Sequence, residues 1–237
     1  MPAATTRRRA ARAGAAAPTR DAARSRAAAA PTRDAARSRA AIIDAAEALF
    51  AQHGFAGTSL GDIGTQAGLS RGAPSYFYGS KEQLYVAVLE RVFAAREEAT
   101  AAAFAPLHDW AATGEGSLDR ALTHAVEGYM AFLLERRTFV RLIEWEELEG
   151  GRRMRATPRA SRAIQDAFGA ARDAARRRGL RAFNVEDAVL LFVSLTFSPL
   201  AQTSTFMATL GRDLTDRATL RRHVRFVVGQ LRHVLEA

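Results

Sequence analysis

Apolar residues recur every three to four positions along most of the chain, which is the spacing of one buried face of an α-helix. No stretch alternates apolar and polar residues as a half-buried strand does. The pattern predicts an all-α protein of about nine helices, at residues 42–53, 59–67, 70–77, 80–104, 117–136, 138–149, 157–178, 185–209 and 216–236. Pro199 is expected to bend or break the eighth of them.

Small polar residues and glycines mark the ends of the early helices. Gly54 is expected to end the first helix. Thr58 and Ser59 can cap the second helix, and Ser70 can cap the third. Ser80 and Gln83 have the spacing of a capping box, which predicts the start of the long fourth helix.

The second and third helices, with Gly68 between them, predict a helix-turn-helix. Glycine tolerates the left-handed backbone that the turn needs. Ile63, Ala67 and Leu69, together with Phe77 or Tyr78, are expected to hold the two helices together. The third helix would then place its first residues in the major groove of DNA.

Several residues of this segment carry the chemistry of DNA recognition. Arg71 can donate two hydrogen bonds to a guanine edge. Gly72 and Ala73 allow close approach to the bases, while Ser75 and Tyr76 can reach bases or phosphates. Lys81 offers a positive charge to a phosphate. The free backbone amides at the start of the helix that Ser80 caps also favour a phosphate.

The segment AAIIDAAEALFAQHGFAGTSLGDIGTQAGLSRGAPSYFYGSKEQLYVAVL, residues 40–89, resembles the N-terminal domain of the tetracycline-repressor (TetR) family of transcriptional regulators. The resemblance implies a homodimer, a three-helix DNA-binding domain and a larger helical domain that senses a ligand. It implies base contacts by Arg71, Gly72, Ala73, Ser75 and Tyr76, and phosphate contacts by Thr58, Ser70, Tyr76 and Lys81. The chain departs from the family at Pro74-Ser75, where a Leu-Tyr pair is usual, and at Gly64, where alanine is usual.

The expected organisation is an Arg/Ala-rich, disordered arm at residues 1–32, a DNA-binding domain at 33–80 and a regulatory and dimerisation domain at 81–237. Helices between residues 117 and 178 are expected to enclose a ligand pocket, although plain core packing is an alternative for each residue. The candidate pocket residues are Tyr129, Met130, Phe132, Phe139, Trp145, Glu146 and Phe168. Glu146 lies on the apolar stripe of its predicted helix, where burial of an unpaired carboxylate costs free energy. Glu146 is therefore expected to face a cationic ligand group or an arginine such as Arg120 or Arg152.

The last two helices are expected to form the dimer interface that the resemblance implies. Residues 188–197 are apolar on all sides, and residues 220–235 carry an apolar stripe opposite arginines. The candidate interface residues are Leu191, Leu195, Val224, Val227, Val228 and Leu231. The alternative is that these side chains pack only within the monomer.

Charge is concentrated near the N-terminus. The chain of 237 residues has a net charge of +9, and residues 1–40 hold ten arginines and two acids, which leaves about +1 for the remainder. The sequence APTRDAARSRAA occurs twice, at 17–28 and 30–41, and its second copy leads into the first helix. A basic arm is typical of a tail that binds nucleic acid, and a solubilising leader is the alternative.

Composition excludes several classes of function. The chain has no cysteine, which rules out disulfides and thiolate chemistry. No metal motif, nucleophile motif or cofactor fingerprint is present, so we expect no enzyme activity, no metal and no cofactor. The prediction is a ligand-responsive regulator, released from a palindromic operator by a small apolar effector, in the cytoplasm at the nucleoid. A non-specific nucleoid protein driven by the arm, and a helical enzyme or carrier, are the alternatives.

Overall fold

The computed structural model describes residues 33–156, 162–177 and 183–236. Within these ranges the chain forms ten α-helices and one π-helix, without a β-strand. The helices are α1 (Arg33–His53), α2 (Leu60–Gln66), α3 (Ala73–Tyr78), α4 (Lys81–Thr113), α5 (Leu118–Glu135), α6 (Arg137–Leu148), α7 (Arg152–Ala156), α8 (Arg162–Arg177), α9 (Val185–Ala201), the π-helix (Thr203–Met207) and α10 (Arg217–Glu236). The predicted all-α class is confirmed, and the described residues hold two helical segments more than the nine expected.

The chain divides into two units, Met1–Arg37 and Ser38–Ala237. The predicted disordered arm at residues 1–32 lies outside the described residues, so the first unit is described only over the beginning of α1. Most of α1 and all of the helices that follow it belong to the second unit. None of the described helices is long and apolar enough to cross a membrane.

Helices α2 and α3 form the predicted helix-turn-helix, but α3 begins later than the sequence suggested. The hydroxyl of Ser59 accepts a hydrogen bond from the Asp62 amide at 3.1 Å and so caps α2, and Gly68 adopts a φ of 69° in the turn. Helix α3 starts after Gly72 rather than at Ser70. Proline fits the first turn of a helix without the loss of a helical hydrogen bond, and this later start places Pro74 there.

Helix α4 begins as predicted and ends later than predicted. The Gln83 amide donates to the Ser80 hydroxyl at 3.2 Å, and the Ser80 amide donates to Gln83 Oε1 at 2.9 Å, which completes the capping box. The expected end near Phe104 was wrong, because the helix continues through Pro106 to Thr113. Leu107 and Ala111 extend the buried face of the helix past the proline. Burial of that face outweighs the one backbone hydrogen bond that Pro106 removes.

The later helices are more broken than the apolar pattern suggested. The predicted helix at 157–178 is described only from Arg162, and the short helix α7 precedes it. Pro199 does not end α9, which continues to Ala201 before the chain changes to a π-helix. Pro199 cannot donate to the Leu195 carbonyl oxygen, and His223 Nε2 lies 2.8 Å from that oxygen. The Nε2–H tautomer of His223 therefore supplies the donor that the proline lacks.

One hydrophobic core extends through residues 42–235, and α4 packs in its middle against α5 and α8. The stripe of α10 belongs to this core, since Val224, Val227, Val228 and Leu231 are buried within the single chain. These four predicted interface residues are therefore largely covered by their own protomer. Leu191 and Leu195 of α9 are half-buried.

Candidate DNA interface and regulatory cavity

The exposed face of the α3 region carries most of the predicted DNA contacts. Five of these residues are exposed and Ala73 is half-buried; the exposed residues are Ser70, Arg71, Gly72, Ser75 and Tyr76. Tyr76 is 84% exposed, which is the largest exposure of any large apolar or aromatic residue described. The opposite face of α3 is held in place, because the Tyr78 hydroxyl donates to the Arg39 carbonyl oxygen at 3.0 Å.

Two glycines of α2, Gly61 and Gly64, shape this surface. Neither was predicted to have a role in it. A Cβ atom at Gly61 would lie 2.9 Å from Nε of Arg71, so the arginine lies directly against the glycine. A Cβ atom at Gly64 would lie 2.5 Å from the Ser70 carbonyl oxygen. The signal in the sequence was the presence of two glycines inside one short helix, where glycine is otherwise unfavourable.

A Gly64→Ala variant is therefore expected to lose about 1–3 kcal/mol of unfolding free energy, although alanine favours helices. The two nearest atoms that the new methyl group meets belong to the backbone of Ser70 and Arg71, and the third is Cδ of Pro74, so relief requires the turn before α3 to move. Urea unfolding measures the loss. Gly169→Ala in α8 is the matched control, since no described atom outside the adjoining residues and backbone of that helix lies within 4 Å of the place that its methyl group would take. Equal stability of the two variants would contradict this explanation of Gly64.

Thr58 and Lys81 are less accessible to solvent than the exposed residues of the α3 region. Thr58 is 3% exposed, and its hydroxyl lies 2.9 Å from the Gly54 carbonyl oxygen and 3.2 Å from that of Leu49. The Thr58 side chain thus fastens its loop to α1, and the predicted phosphate contact does not fit this burial. Lys81 is half-buried, with its Nζ 4.4 Å from the centre of the Phe55 ring.

Helix α6 of the regulatory domain rests on α1 of the DNA-binding domain. The Trp145 indole Nε1–H donates to the Ala51 carbonyl oxygen at 3.1 Å. Its ring covers Gly54, where a Cβ atom would lie 2.8 Å from Trp145 Cε3. The Thr138 hydroxyl donates to Glu47 Oε1 at 2.6 Å. We call this contact, formed by Glu47, Ala51, Gly54, Thr138 and Trp145, the α1–α6 junction.

Glu146 lies beside the junction and is 1% exposed. Its Oε2 accepts from the Met154 amide at 3.0 Å, and its Oε1 lies 3.7 Å from Arg153 Nη1. Arg153 in turn stacks on Phe55, with its guanidinium carbon 3.7 Å from the ring centre. Burial raises the pKa of the Tyr85 hydroxyl, and the neighbouring Glu146 carboxylate raises it further. The expectation that Glu146 needs a partner is confirmed, but the partner is Arg153 rather than Arg120 or Arg152.

A cavity of about 280 Å³ lies between six helices of the regulatory domain. Its described lining is mostly apolar, and consists of Phe93, Arg96, Tyr129, Phe139, Ile143, Met154, Ile164, Gln165, Val189, Val193 and Phe197. Two predicted pocket residues, Tyr129 and Phe139, are among them.

The other predicted pocket residues lie elsewhere in the regulatory domain. Trp145 and Glu146 lie at the junction with α1 and in the ion pair beside it. Phe168 packs against Phe104 and Phe192 in the core. Met130 and Phe132 line two separate outer grooves. Helical spacing identified the apolar residues, but it could not tell core packing from a cavity wall.

Arg96 brings a positive charge to the wall of the cavity. It was not among the predicted pocket residues. It is half-buried, with its guanidinium carbon 5.0 Å from the centre of the Phe93 ring and 5.9 Å from that of Phe139. Burial lowers the pKa of Arg96 and raises the pKa of Tyr129. Tyr129 therefore stays a neutral hydrogen-bond donor, while arginine remains charged because its ordinary pKa is so high.

Two family models match this chain and together cover both of its helical domains. Residues 42–88 match the model of bacterial regulatory proteins of the tetR family. Residues 119–230 match the model of the tetracyclin repressor-like C-terminal domain. The chain belongs to the TetR family. The resemblance seen in residues 40–89 is thereby confirmed, and this TetR-family protein is a transcription regulator with a helix-turn-helix.

Individual relatives agree with the family models. The HTH-type transcriptional repressor NicS of Pseudomonas putida is 26% identical over 181 residues, which are 74% of this chain and 82% of NicS. The crystal structure of the Streptomyces coelicolor regulator SCO4942 has a TM-score of 0.59 and 25% identity, over 83% of this chain and 97% of that one. A TetR-family regulator from Mesorhizobium loti shares the fold, with a TM-score of 0.63 and 22% identity, over 86% of this chain and 98% of that one.

Proposed function

We propose that this TetR-family regulator is a repressor that binds a palindromic operator as a homodimer and leaves it when a small, largely apolar molecule fills the cavity. The relative NicS is named as a repressor. The observation that carries the proposal is the position of α6, which lines the cavity with one face and contacts the DNA-binding domain with another.

The two faces of α6 give a physical route from ligand to DNA. Phe139 and Ile143 line the cavity, whereas Thr138 and Trp145 hold α1. A ligand that pushes α6 outward therefore strains the α1–α6 junction. Packed helices shift as rigid elements rather than deform smoothly, so a small displacement at the cavity is passed on to α1.

Helix α7 offers a second connection between the same two places. Met154 lines the cavity with its side chain, and its backbone amide is bound by Glu146. The preceding residue, Arg153, stacks on Phe55 of the DNA-binding domain. Displacement of Met154 by a ligand would thus pull on Phe55, next to Lys81 at the start of α4.

The proposed DNA contacts are the exposed residues of the α3 region. Arg71, with its guanidinium lying along Gly61, is the candidate for reading a guanine. Tyr76, Ser75 and Ser70 are candidates for bases or phosphates. Lys81 supplies a positive charge near the start of α4, where free backbone amides also favour an anion.

The proposed homodimer is formed through exposed apolar side chains of α9 and α10. Leu190 of α9 is 66% exposed and Phe226 of α10 is 52% exposed. Large exposed apolar residues on the two helices that the family uses for dimerisation favour this face over the buried stripe of α10. A two-fold protein binds a palindromic site, with half-sites one or more helical turns apart.

Selection of bound sequences from random DNA tests the proposal directly. We expect a palindromic motif, with a guanine in each half-site that depends on Arg71. Arg71→Ala should weaken binding to the selected operator by about 1–3 kcal/mol and relax the preference at that position. Lys81→Ala is the matched control, because loss of a phosphate contact weakens all sequences alike. Binding that ignores sequence, with wild-type protein, would favour the nucleoid alternative.

A further inference from the structure

The charge on the cavity wall carries information about the ligand. Arg96 projects from the middle of α4 into a lining that is otherwise built mainly of phenylalanine, valine, isoleucine and methionine side chains. Among the described lining residues it is the one that bears a charge. An anionic ligand group that enters the cavity therefore meets an opposite charge at Arg96.

The other two polar side chains of the described lining, Tyr129 and Gln165, also favour an anionic or hydrogen-bond-accepting ligand group. The Tyr129 hydroxyl is a neutral donor, and the Gln165 side-chain amide can also donate. A guanidinium, a phenol and an amide together suit two carboxylate oxygens, because the planar guanidinium matches a carboxylate in a two-point contact.

We propose that the cavity takes a small monocarboxylate with an apolar body, whose carboxylate is bound by Arg96 with the help of Tyr129 and Gln165. This inference rests on the proposed function for the use of the cavity as an effector site. It replaces the cationic ligand group that the sequence suggested, because Glu146 lies in the ion pair with Arg153 rather than on the cavity wall.

The size of the cavity limits the apolar body. At about 30 Å³ for each water-sized group, the cavity of about 280 Å³ accommodates on the order of ten non-hydrogen atoms. A phenyl ring with a short acid chain, or a medium-chain fatty acid, has this size. A dianion or a sugar acid would bring polar groups that the phenylalanine and valine walls cannot satisfy.

The test compares acids with matched compounds that differ only in charge. The probes are benzoate, 3-phenylpropionate, 5-phenylpentanoate, hexanoate and decanoate, each with its primary amide and the amine of the same length. Calorimetric titration of the full-length protein without DNA measures affinity. At least one acid should bind about ten- to a hundredfold more tightly than its amide. Amides or amines that bind as well as the acids, or a panel without a binding acid, would overturn the proposal.

Variants of Arg96 separate a binding role from a structural one. Arg96→Gln should bring the acid and the amide to within about threefold of each other by removing the charge. Arg96→Lys should keep part of the preference, because the charge remains while the two-point contact is lost. Arg141→Gln, which removes an exposed arginine of α6, is the matched control and should leave the preference unchanged. A preference that survives in Arg96→Gln would contradict the assignment.

Operator release is measured separately, so that the two proposals can fail separately. An acid that binds through Arg96 but leaves the operator complex intact would support the carboxylate site and refute the proposed control of DNA binding. Release by amides or amines, with no preference for acids, would support the proposed function and refute the carboxylate site.

Discussion

A Trp145→Ala variant is expected to bind operator DNA and to lose its response to the cavity ligand. The indole connects α6 to α1 through its hydrogen bond to Ala51 and its contact with Gly54. Without it, displacement of α6 moves the DNA-binding domain less. A coupling free energy of about 1–3 kcal/mol, which is a 5- to 150-fold change in operator affinity, should become much smaller, and the remainder is carried by the Thr138–Glu47 hydrogen bond and the contact of Arg153 with Phe55. Operator binding by fluorescence anisotropy, with and without the tightest ligand of the panel, measures this change.

Loss of the indole also lowers the stability of the fold, which is an effect distinct from the loss of coupling between cavity and operator. Truncation of a buried tryptophan costs about 3–5 kcal/mol, and the half-buried position of Trp145 places it at the low end. Trp110→Ala is the matched control, since Trp110 is also half-buried but lies near the end of α4. The control should lose stability and keep its response. A Trp145→Ala protein that is folded and is released from the operator as readily as the wild type would contradict the role of the α1–α6 junction.

A Val193→Trp variant is expected to abolish ligand binding and to keep operator binding. Val193 lines the cavity from α9, so a bulky ring there occupies the space that the ligand needs. We expect ligand affinity to fall by at least about a hundredfold, or about 2.7 kcal/mol. Calorimetric titration of the variant without DNA measures this loss, and anisotropy measures its operator affinity.

The control for bulk alone is Ala131→Trp. Ala131 is exposed and lies in the outer grooves beside α5, away from the cavity lining. This variant should bind the ligand as the wild type does. If Val193→Trp still bound the ligand tightly, the effector site would have to lie outside this cavity.

Local signals made the helix-turn-helix predictable from the sequence. Ser59, Gly68 and the pair Ser80–Gln83 act on backbone groups within a few residues of themselves, and the structure gives the Ser59 and Ser80–Gln83 hydrogen bonds and the left-handed turn at Gly68. The identity of the base contacts remains a prediction, because it depends on a DNA partner and not on the fold of the chain.

Features that depend on distant contacts were not predictable from periodicity. The end of α4 was set by burial beyond Pro106, and the partner of Glu146 was an arginine on a separate short helix. The apolar residues of α10 have the same spacing whether they face their own protomer or a partner subunit. Arg96 is one arginine among many on the helical surfaces, and only the packing of six helices places it on a cavity wall.

The affinity of the cavity ligand for the free protein and for the operator complex is the most direct test of the proposed control. The ligand is the tightest binder of the panel, whatever its charge, and the operator is the selected palindrome. Coupling is reciprocal, so a ligand that weakens operator binding must itself bind the operator complex more weakly by the same factor, about 5- to 150-fold. The proposed function predicts a difference in this range. Equal affinity of the ligand for the free protein and the operator complex would contradict it.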